Sequence, residues 1–558
     1  MIWKRNKKVI TTELHPDEIL LDVHNLPSFD RQQFEGQLEQ PISKKPLNLL
    51  FLFTAVIAIV FGVRLAYIQL VNGDYYAQKS EQNSFDAIPI FADRGVIYDR
   101  YGTELVWNIS GIEQNTTKRS YTKAHGFASV LGYVSYPAVD DNGIFWQERT
   151  IGKDGVEKEF DTLLSGKSGR KLVESDVSGE VVSEGAIEFP VSGENLILSI
   201  DSRFQEALYG GIRSLAGQSG YVGGTGIIMD IHTGELYAMT SYPEYNGNII
   251  SEGSDSEIIN GYLKSSSKPL LNRAIDGVYT PGSIVKPFFA LAALNENVIS
   301  PNKVIYTTGK LEIPNPYNPK LTSIFRDNAN HGPVDMREAL AVSSNVYFYQ
   351  IGGGYQQQKG LGIANLEKYA KMFGLGQKTG VNISGEREGN IPSIEWKAKK
   401  FPGDPWRVGD TYNTAIGQYG FQVTPLQMVR ATAAVASRGV LQTPTILKTT
   451  ISPTGTKVGV EDNAYTVVQE GMRKSVLEGT TTALQNDIVH VAAKSGTAQI
   501  KNNTRVNSWV EGFFPFENPR FAFVVLMEDG PKVSSGAVHA FKPVIELLAS
   551  SPDILTQK

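Results

Sequence analysis

Between Pro46 and Val63 the sequence carries no charged residue and is dominated by Leu, Phe, Val, Ile and Ala. Continued to Leu70, the stretch is long enough for a helix to cross the hydrocarbon core of a bilayer with some tilt. Inside lipid a lone segment satisfies its own backbone only as a helix, so one transmembrane helix is predicted over 46–70. Arg64 sits near the far end, where its long side chain can snorkel to the interface beside Tyr67. Lys44 and Lys45 flank the start, and the positive-inside rule places them in the cytoplasm. A cleaved signal peptide is the alternative. The 45 residues upstream, the length of the span and the lack of a small-residue cleavage site favour an anchor. The expectation is a single-pass protein of the cytoplasmic membrane, N-terminus inside, with everything after Leu70 outside. Residues 1–45 are polar and mixed in charge and read as a cytoplasmic tail without a core of its own. The apolar island Glu18-Ile19-Leu20-Leu21-Asp22 is a candidate docking peptide for a cytoplasmic partner.

At 558 residues the chain is too long for one ordinary domain, and length alone suggests about three or four units. With no cysteine it has no disulfide framework, no thiolate zinc site and no thiol nucleophile. Its seven histidines are scattered, and none falls in a metal-ligand spacing, so no metal and no cofactor is expected. His331, in Asn330-His331-Gly332, reads as a loop hydrogen-bonding residue. The net charge of −5 gives no reason to expect nucleic acid. Residues 71–195 mix short strands and turns, and structural roles are expected for them. Residues 196–550 read as one α+β domain. Its first strands are expected at Asn195–Asp201, Thr225–Asp230 and Glu235–Met239, with a helix at Arg203–Leu215. A helical middle follows from Lys286 to about Gly439, and the sheet is closed by His490–Ile500 and Arg520–Glu528.

In the stretch Thr280-Pro281-Gly282-Ser283-Ile284-Val285-Lys286-Pro287 a turn opens into the apolar helix Phe288–Leu294. Pro287 is tolerated because the first helical turn has no intrahelical N–H partner to lose. Ser283 and Lys286, three apart, share one helical face. A serine hydroxyl needs an adjacent base, and a buried lysine with a depressed pKa can be one. The same spacing recurs at Ser120/Lys123, Ser168/Lys171 and Ser265/Lys268, so spacing alone decides little. Ser343-Ser344-Asn345 offers a hydroxyl and an amide two residues apart. Lys494-Ser495-Gly496-Thr497 lies on a predicted edge strand, with Gly496 where something approaches the backbone closely. Lys378-Thr379-Gly380 competes with it, but follows Gly374-Leu375-Gly376 and reads as a turn. Within 71–195, Arg94–Gly102, Gly152–Asp161 and Leu163–Gly169 read as structural. Gly166-Lys167-Ser168 is no P-loop, since the position of that motif's first glycine is Asp161.

The order Ser-x-x-Lys, Ser-x-Asn, Lys-Ser-Gly is the signature of penicillin-recognising serine enzymes. Beyond it, the chain from about Arg64 to Gly530 resembles the class B penicillin-binding proteins. The matching pieces are Arg94–Gly102, Gly152–Asp161 with Gly166 and Gly169, Asn272-Arg273-Ala274, Thr424–Gln427, Trp509–Phe513 and Asn518-Pro519. Ser343–Tyr349 and Gly409–Gln418 resemble the elongation subfamily more than the septal one. The resemblance implies a peptidoglycan D,D-transpeptidase in which residues 71–195 are a non-catalytic pedestal and Ser283 attacks a stem peptide. Lys286 would take its proton, Ser343 would relay it, and Asn345 would hold the substrate amide. The backbone N–H groups of Ser283 and Thr497 would form the oxyanion hole. Lys494, Ser495, Gly496 and Thr497 would bind the substrate end bearing the terminal carboxylate. β-Lactams would acylate Ser283, and a SEDS-type glycosyltransferase would be the partner. Two features depart from the pattern: Asn507-Ser508 precedes Trp509 where relatives often have His-Ala, and the tail is long. The rivals are a septal transpeptidase, a β-lactamase, and a β-lactam sensor or inactive scaffold. A Ser-His-Asp hydrolase lacks its Gly-x-Ser-x-Gly elbow here.

Overall fold

The computed structural model describes residues 44–555 apart from 77–84, 111–116, 142–144, 176–180, 316–317, 450–453, 502 and 533–535. The expected tail, with its Glu18–Asp22 island, lies outside the described residues except for Lys44 and Lys45. The chain forms two units, one of residues 1–86 with 174–182, the other of 87–173 with 183–558.

In the first unit, α1 (Lys44–Ala66) buries none of its residues and continues through a π-helical turn at Tyr67–Val71. Its apolar side chains are exposed all round, which suits a lipid environment. Thr54 donates its hydroxyl back to the Leu50 carbonyl at 3.0 Å, so even this polar group is satisfied within the helix. Arg64 lies over the Tyr67 ring, 6.0 Å from its centroid.

The second unit begins with a four-stranded sheet in the order Leu196–Ile197, Ile97–Tyr98, Glu104–Ser110, Thr117–Tyr121. The strand expected at Asn195–Asp201 is therefore only two residues long. A buried ion cluster pins this region. Glu157, fully buried, accepts from Arg94 Nε at 2.5 Å and from Arg119 Nε at 2.7 Å. Arg94 also reaches Asp161 at 2.7 Å. Two of the charged stretches legible in the sequence thus interlock, and each buried charge has a counter-charge, as burial requires.

The larger part of this unit is built on a five-stranded antiparallel sheet. Its strands are β1 (Gly223–Asp230), β2 (Leu236–Tyr242), β3 (Ala492–Ile500), β4 (Arg505–Phe514) and β5 (Phe521–Gly530), in the order β2-β1-β5-β4-β3. β4 was not expected as a separate strand. Both faces of the sheet are covered, so its strands carry apolar residues at successive positions instead of alternating with polar ones. Phe521, Phe523, Val525 and Met527 pack with Phe204, Leu208 and Ile212 of α2 (Ser202–Ser219). Ala522, Val524 and Leu526 face the other core. That second core holds the apolar α3 (Lys286–Asn295) and α4 (Pro425–Ala436), where Phe288, Phe289 and Leu291 are almost wholly buried. β3 is the outermost strand on this side.

Candidate active site

The turn before α3 is fixed from two sides. Gly282 has φ +62°, and its N–H donates to Gly417 O at 3.0 Å. A Cβ on Gly417, itself at φ +71°, would stand 2.2 Å from Gly282 O, so the two glycines admit this close approach. Trp509 Nε1 of β4 donates to Thr280 O at 3.0 Å. Residues Gly282–Val285 then form a 3₁₀ turn that leads into α3. Ser283 is half-exposed at the mouth of a cleft. Among the described residues its hydroxyl has no hydrogen-bond partner.

Lys286 lies beneath, fully buried. Its Nζ donates to Ser343 O at 2.8 Å, to Asn345 Oδ1 at 2.8 Å and, less closely, to Ser343 Oγ at 3.4 Å. Burial pushes this amine well below its ordinary pKa, and the nearby Lys494 pushes the same way, against Asp327. A neutral amine is a proton acceptor, which is what a base beside a serine requires.

Ser343 sits at φ +60°, a left-handed kink for a residue with a side chain. The kink offers its carbonyl to Lys286 and its hydroxyl to Lys494, whose Nζ donates at 2.8 Å. Asp327 holds the loop from behind. It accepts from Ser344 Oγ at 2.6 Å, Asn345 N at 2.5 Å and Val346 N at 3.0 Å. Ser344 also accepts from Tyr347 N at 3.3 Å, capping the helix Asn345–Gly353. Asp327 was not singled out in the sequence, where it lies in a polar run with nothing in its spacing to tie it to Ser343.

Lys494, on the edge strand β3, is also fully buried and donates to Ser495 O at 2.7 Å. Burial lowers its pKa to about 7, opposed by Glu511. Ser495 Oγ donates to Thr480 Oγ1 at 2.6 Å, a further contact the sequence did not signal. Ser283, Ser343, Asn345, Ser495, Gly496 and Thr497 line one cleft of about 1270 Å³, with Lys286 and Lys494 below it. The cleft also takes in Tyr221, Ser508 and His539. The competing Lys378-Thr379-Gly380 does not line it; its Thr379 and Gly380 N–H groups are held by Glu386 at 2.7 and 3.2 Å. His331 Nε2 bonds Asn328 Oδ1 at 2.7 Å, a loop role.

Three side chains in a row, Lys286, Ser343 and Lys494, are thus hydrogen-bonded beside a serine hydroxyl open to the cleft. The arrangement suits acyl transfer: a nucleophile, a base whose pKa burial lowers, a hydroxyl that can pass a proton on, and a second buried lysine on the edge strand.

Residues 224–546 match the family described as penicillin binding protein transpeptidase domain, and residues 109–198 match the penicillin-binding protein dimerisation domain. The peptidoglycan D,D-transpeptidase MrdA of Acinetobacter baumannii is 30% identical over 479 residues, covering 80% of this chain and 68% of that protein. Penicillin-binding protein PBP2 of Helicobacter pylori, solved in complex with MreC, is 26% identical with a TM-score of 0.68, covering 84% of this chain and 99% of that one. A chain of a peptidoglycan synthase complex that coordinates polymerization and crosslinking is also 26% identical with a TM-score of 0.68, covering 90% of this chain and 98% of its own length.

Proposed function

The chain belongs to the class B penicillin-binding proteins of the MrdA type, the peptidoglycan D,D-transpeptidases of cell elongation, and from that membership we propose how its own residues carry the reaction. Ser283 Oγ attacks the carbonyl of the penultimate D-Ala of a stem peptide, and its proton passes to Lys286 Nζ. Ser343 relays the proton to the nitrogen of the terminal D-Ala as the C–N bond breaks. A C–O ester to Ser283 remains. The amine of a second stem peptide then attacks that ester, forming the cross-link, and its proton returns to Ser283 Oγ. The backbone N–H groups of Ser283 and Thr497 stabilise the oxyanion. One such donor is worth about 3 kcal/mol at the transition state. Asn345 holds the substrate amide, and Lys494 with Ser495 and Thr497 attracts the terminal carboxylate. The observation that carries this reading is the Lys286–Ser343–Lys494 chain of hydrogen bonds below an unpartnered Ser283 hydroxyl.

The apolar helix α1 anchors the protein in a membrane. We place Lys44 and Lys45 on the cytoplasmic side, residues 71–195 as the pedestal and 196–550 as the transpeptidase. The partner proposed here is a SEDS-type glycosyltransferase, which the relative from a complex coordinating polymerization and crosslinking supports, and the relative solved with MreC supports an MreC-like partner as well. Protease added to intact spheroplasts should digest the catalytic domain and spare an epitope on the tail; a digested tail would reverse this topology.

The reaction is tested by labelling with fluorescent penicillin beside Ser283→Ala. A stable adduct on the wild-type chain, absent from the variant, is expected. Label that clears within seconds would make the protein a β-lactamase, and no label on folded protein would make it a scaffold.

A further inference from the structure

Glu511 is a carboxyl with no exposure to solvent, in the middle of β4. Trp509 and Phe513, two residues to either side, point into the same apolar core. Its cross-strand neighbour on β3 is Lys494, and on β5 it is Val524. Directly opposed residues of an antiparallel pair keep their Cβ atoms about 5 Å apart on one face. From α4, Thr432 Oγ1 donates to Glu511 Oε2 at 2.8 Å, sharing its one hydrogen with Met428 O at 2.8 Å. Among the described residues Oε1, also buried, finds no hydrogen-bond partner. Among these neighbours the one charged group is Lys494, whose Nζ is drawn the other way, to Ser343 Oγ and Ser495 O. Beyond Ser343 lies Lys286, with Asp327 behind it. Neither a lone buried carboxylate nor a lone buried ammonium is tolerated in such a place, and two such groups in range of each other titrate as a pair.

Taking the transpeptidase reading above as given, we propose that Glu511 is a positioning residue whose buried carboxyl, opposite Lys494 across the β3–β4 pair, titrates together with it and so sets the charge Lys494 presents to Ser343 and to the substrate carboxylate. In one form the pair is ammonium and carboxylate. In the other, Lys494 has released a proton to the cleft side and Oε1 has taken one up, no hydrogen bond joining the two groups, and the pair is amine and carboxylic acid. The net charge of the pair is the same in both. Glu511 touches neither substrate nor Ser283; it acts through Lys494. With the carboxylate behind it, Lys494 keeps its proton to higher pH. The like charge so held near Lys286 in turn keeps Lys286 neutral. Burial acts on the two partners in opposite senses, raising Glu511 and lowering Lys494, while each resists the other's shift.

The test is the pH profile of acylation by fluorescent penicillin, from pH 5.5 to 9.5, for the full chain in detergent. Glu511→Gln keeps the shape and an acceptor for Thr432 but carries no negative charge. Its alkaline limb is expected to move down by about one pH unit, as for the loss of one opposite charge at close range. Labelling at pH 8 should then fall by up to about tenfold, with the acid limb nearly unmoved. Thr432→Val, which takes away the donor that stabilises the carboxylate, should shift the limb the same way by less, and it decides the matter if the Gln variant does not fold. An alkaline limb that stays in place while the rate changes uniformly would mean a merely structural role and overturn the proposal. Absence of label on folded wild-type protein would overturn the transpeptidase reading as well, whereas label with an unmoved limb overturns this proposal alone.

Discussion

Gly496→Ala is the smallest change that separates the geometry of the cleft from its chemistry. A Cβ at residue 496 would come within 2.8 Å of Ile284 Cγ2, 3.0 Å of Ile284 N and 3.1 Å of Pro281 O. Two of these three atoms belong to the backbone of the Ser283 turn. That turn cannot yield readily, because the Gly417 carbonyl and the Trp509 indole hold it from behind. β3 is paired on one side only, so it is the element that gives way. Restoring ordinary contact at about 3.5 Å needs a displacement of roughly half an ångström. The displaced strand carries Thr497, the proposed second donor to the oxyanion. Misplacing one donor costs about 3 kcal/mol, or about a hundredfold in acylation rate. Overpacking itself should cost about 1–3 kcal/mol of stability. The assay is the second-order rate constant for fluorescent penicillin beside a thermal melt of the same preparation. A folded Gly496→Ala protein acylated within about threefold of wild type would refute the assignment of Thr497 and the rigidity of the turn together.

Three further outcomes are expected. Lys286→Met should abolish acylation, a loss of at least about a hundredfold for removal of a general base. Because the buried amine has a depressed pKa, the unfolded chain binds more protons up to about pH 10, so wild-type stability gains from rising pH in that window; the Met variant should lose that component and be the more stable at pH 7, as urea titrations at both pH values would read. In wild type, acylation should fall on the acid side as Lys286 takes a proton. Glu157→Ala leaves the buried Arg119 guanidinium without its counter-charge and Arg94 with Asp161 alone, and should destabilise its region by about 3–5 kcal/mol by calorimetry, while the Ser283 adduct still forms on folded protein. Asp327→Asn weakens three hydrogen bonds to the Ser344–Val346 loop; a loss of about 2 kcal/mol in stability and a slower acylation are expected from the same measurements.

The parts of the site that local chemistry dictates were legible in the sequence. Ser283 and Lys286 share a face because helical spacing puts them there, and the apolar run behind them has no other place than the core. The β1–β2 hairpin was legible from its Thr233-Gly234 turn. What was illegible depends on topology. The preference for Lys494 over Lys378 was legible from the glycines before Lys378, but the strand order that sets β3 at the sheet edge was not. β4 escaped notice because it is buried on both faces and so lacks the two-residue alternation that marks a strand. Asp327 works from a loop whose sequence bears no fixed relation to Ser343. Glu511 did leave a trace: an acid between Trp509-Val510 and Gly512-Phe513 has to find a partner in the core, and the only open question was which.

The position of β3 at the sheet's margin has a consequence for solubility. An outermost strand shows a row of unpaired N–H and C=O groups, the usual nucleus for aggregation between copies of a protein. Here the row is not bare. The Ser283 turn leans on it at Gly496, and Thr480 bonds it at Ser495. What is left open runs from Thr497 to Gln499, both of which are exposed and line the cleft. A groove of that size admits one extended peptide and not the flat edge of another sheet. The feature that makes the strand able to receive a guest is therefore also the one that keeps it from adhering to its own kind.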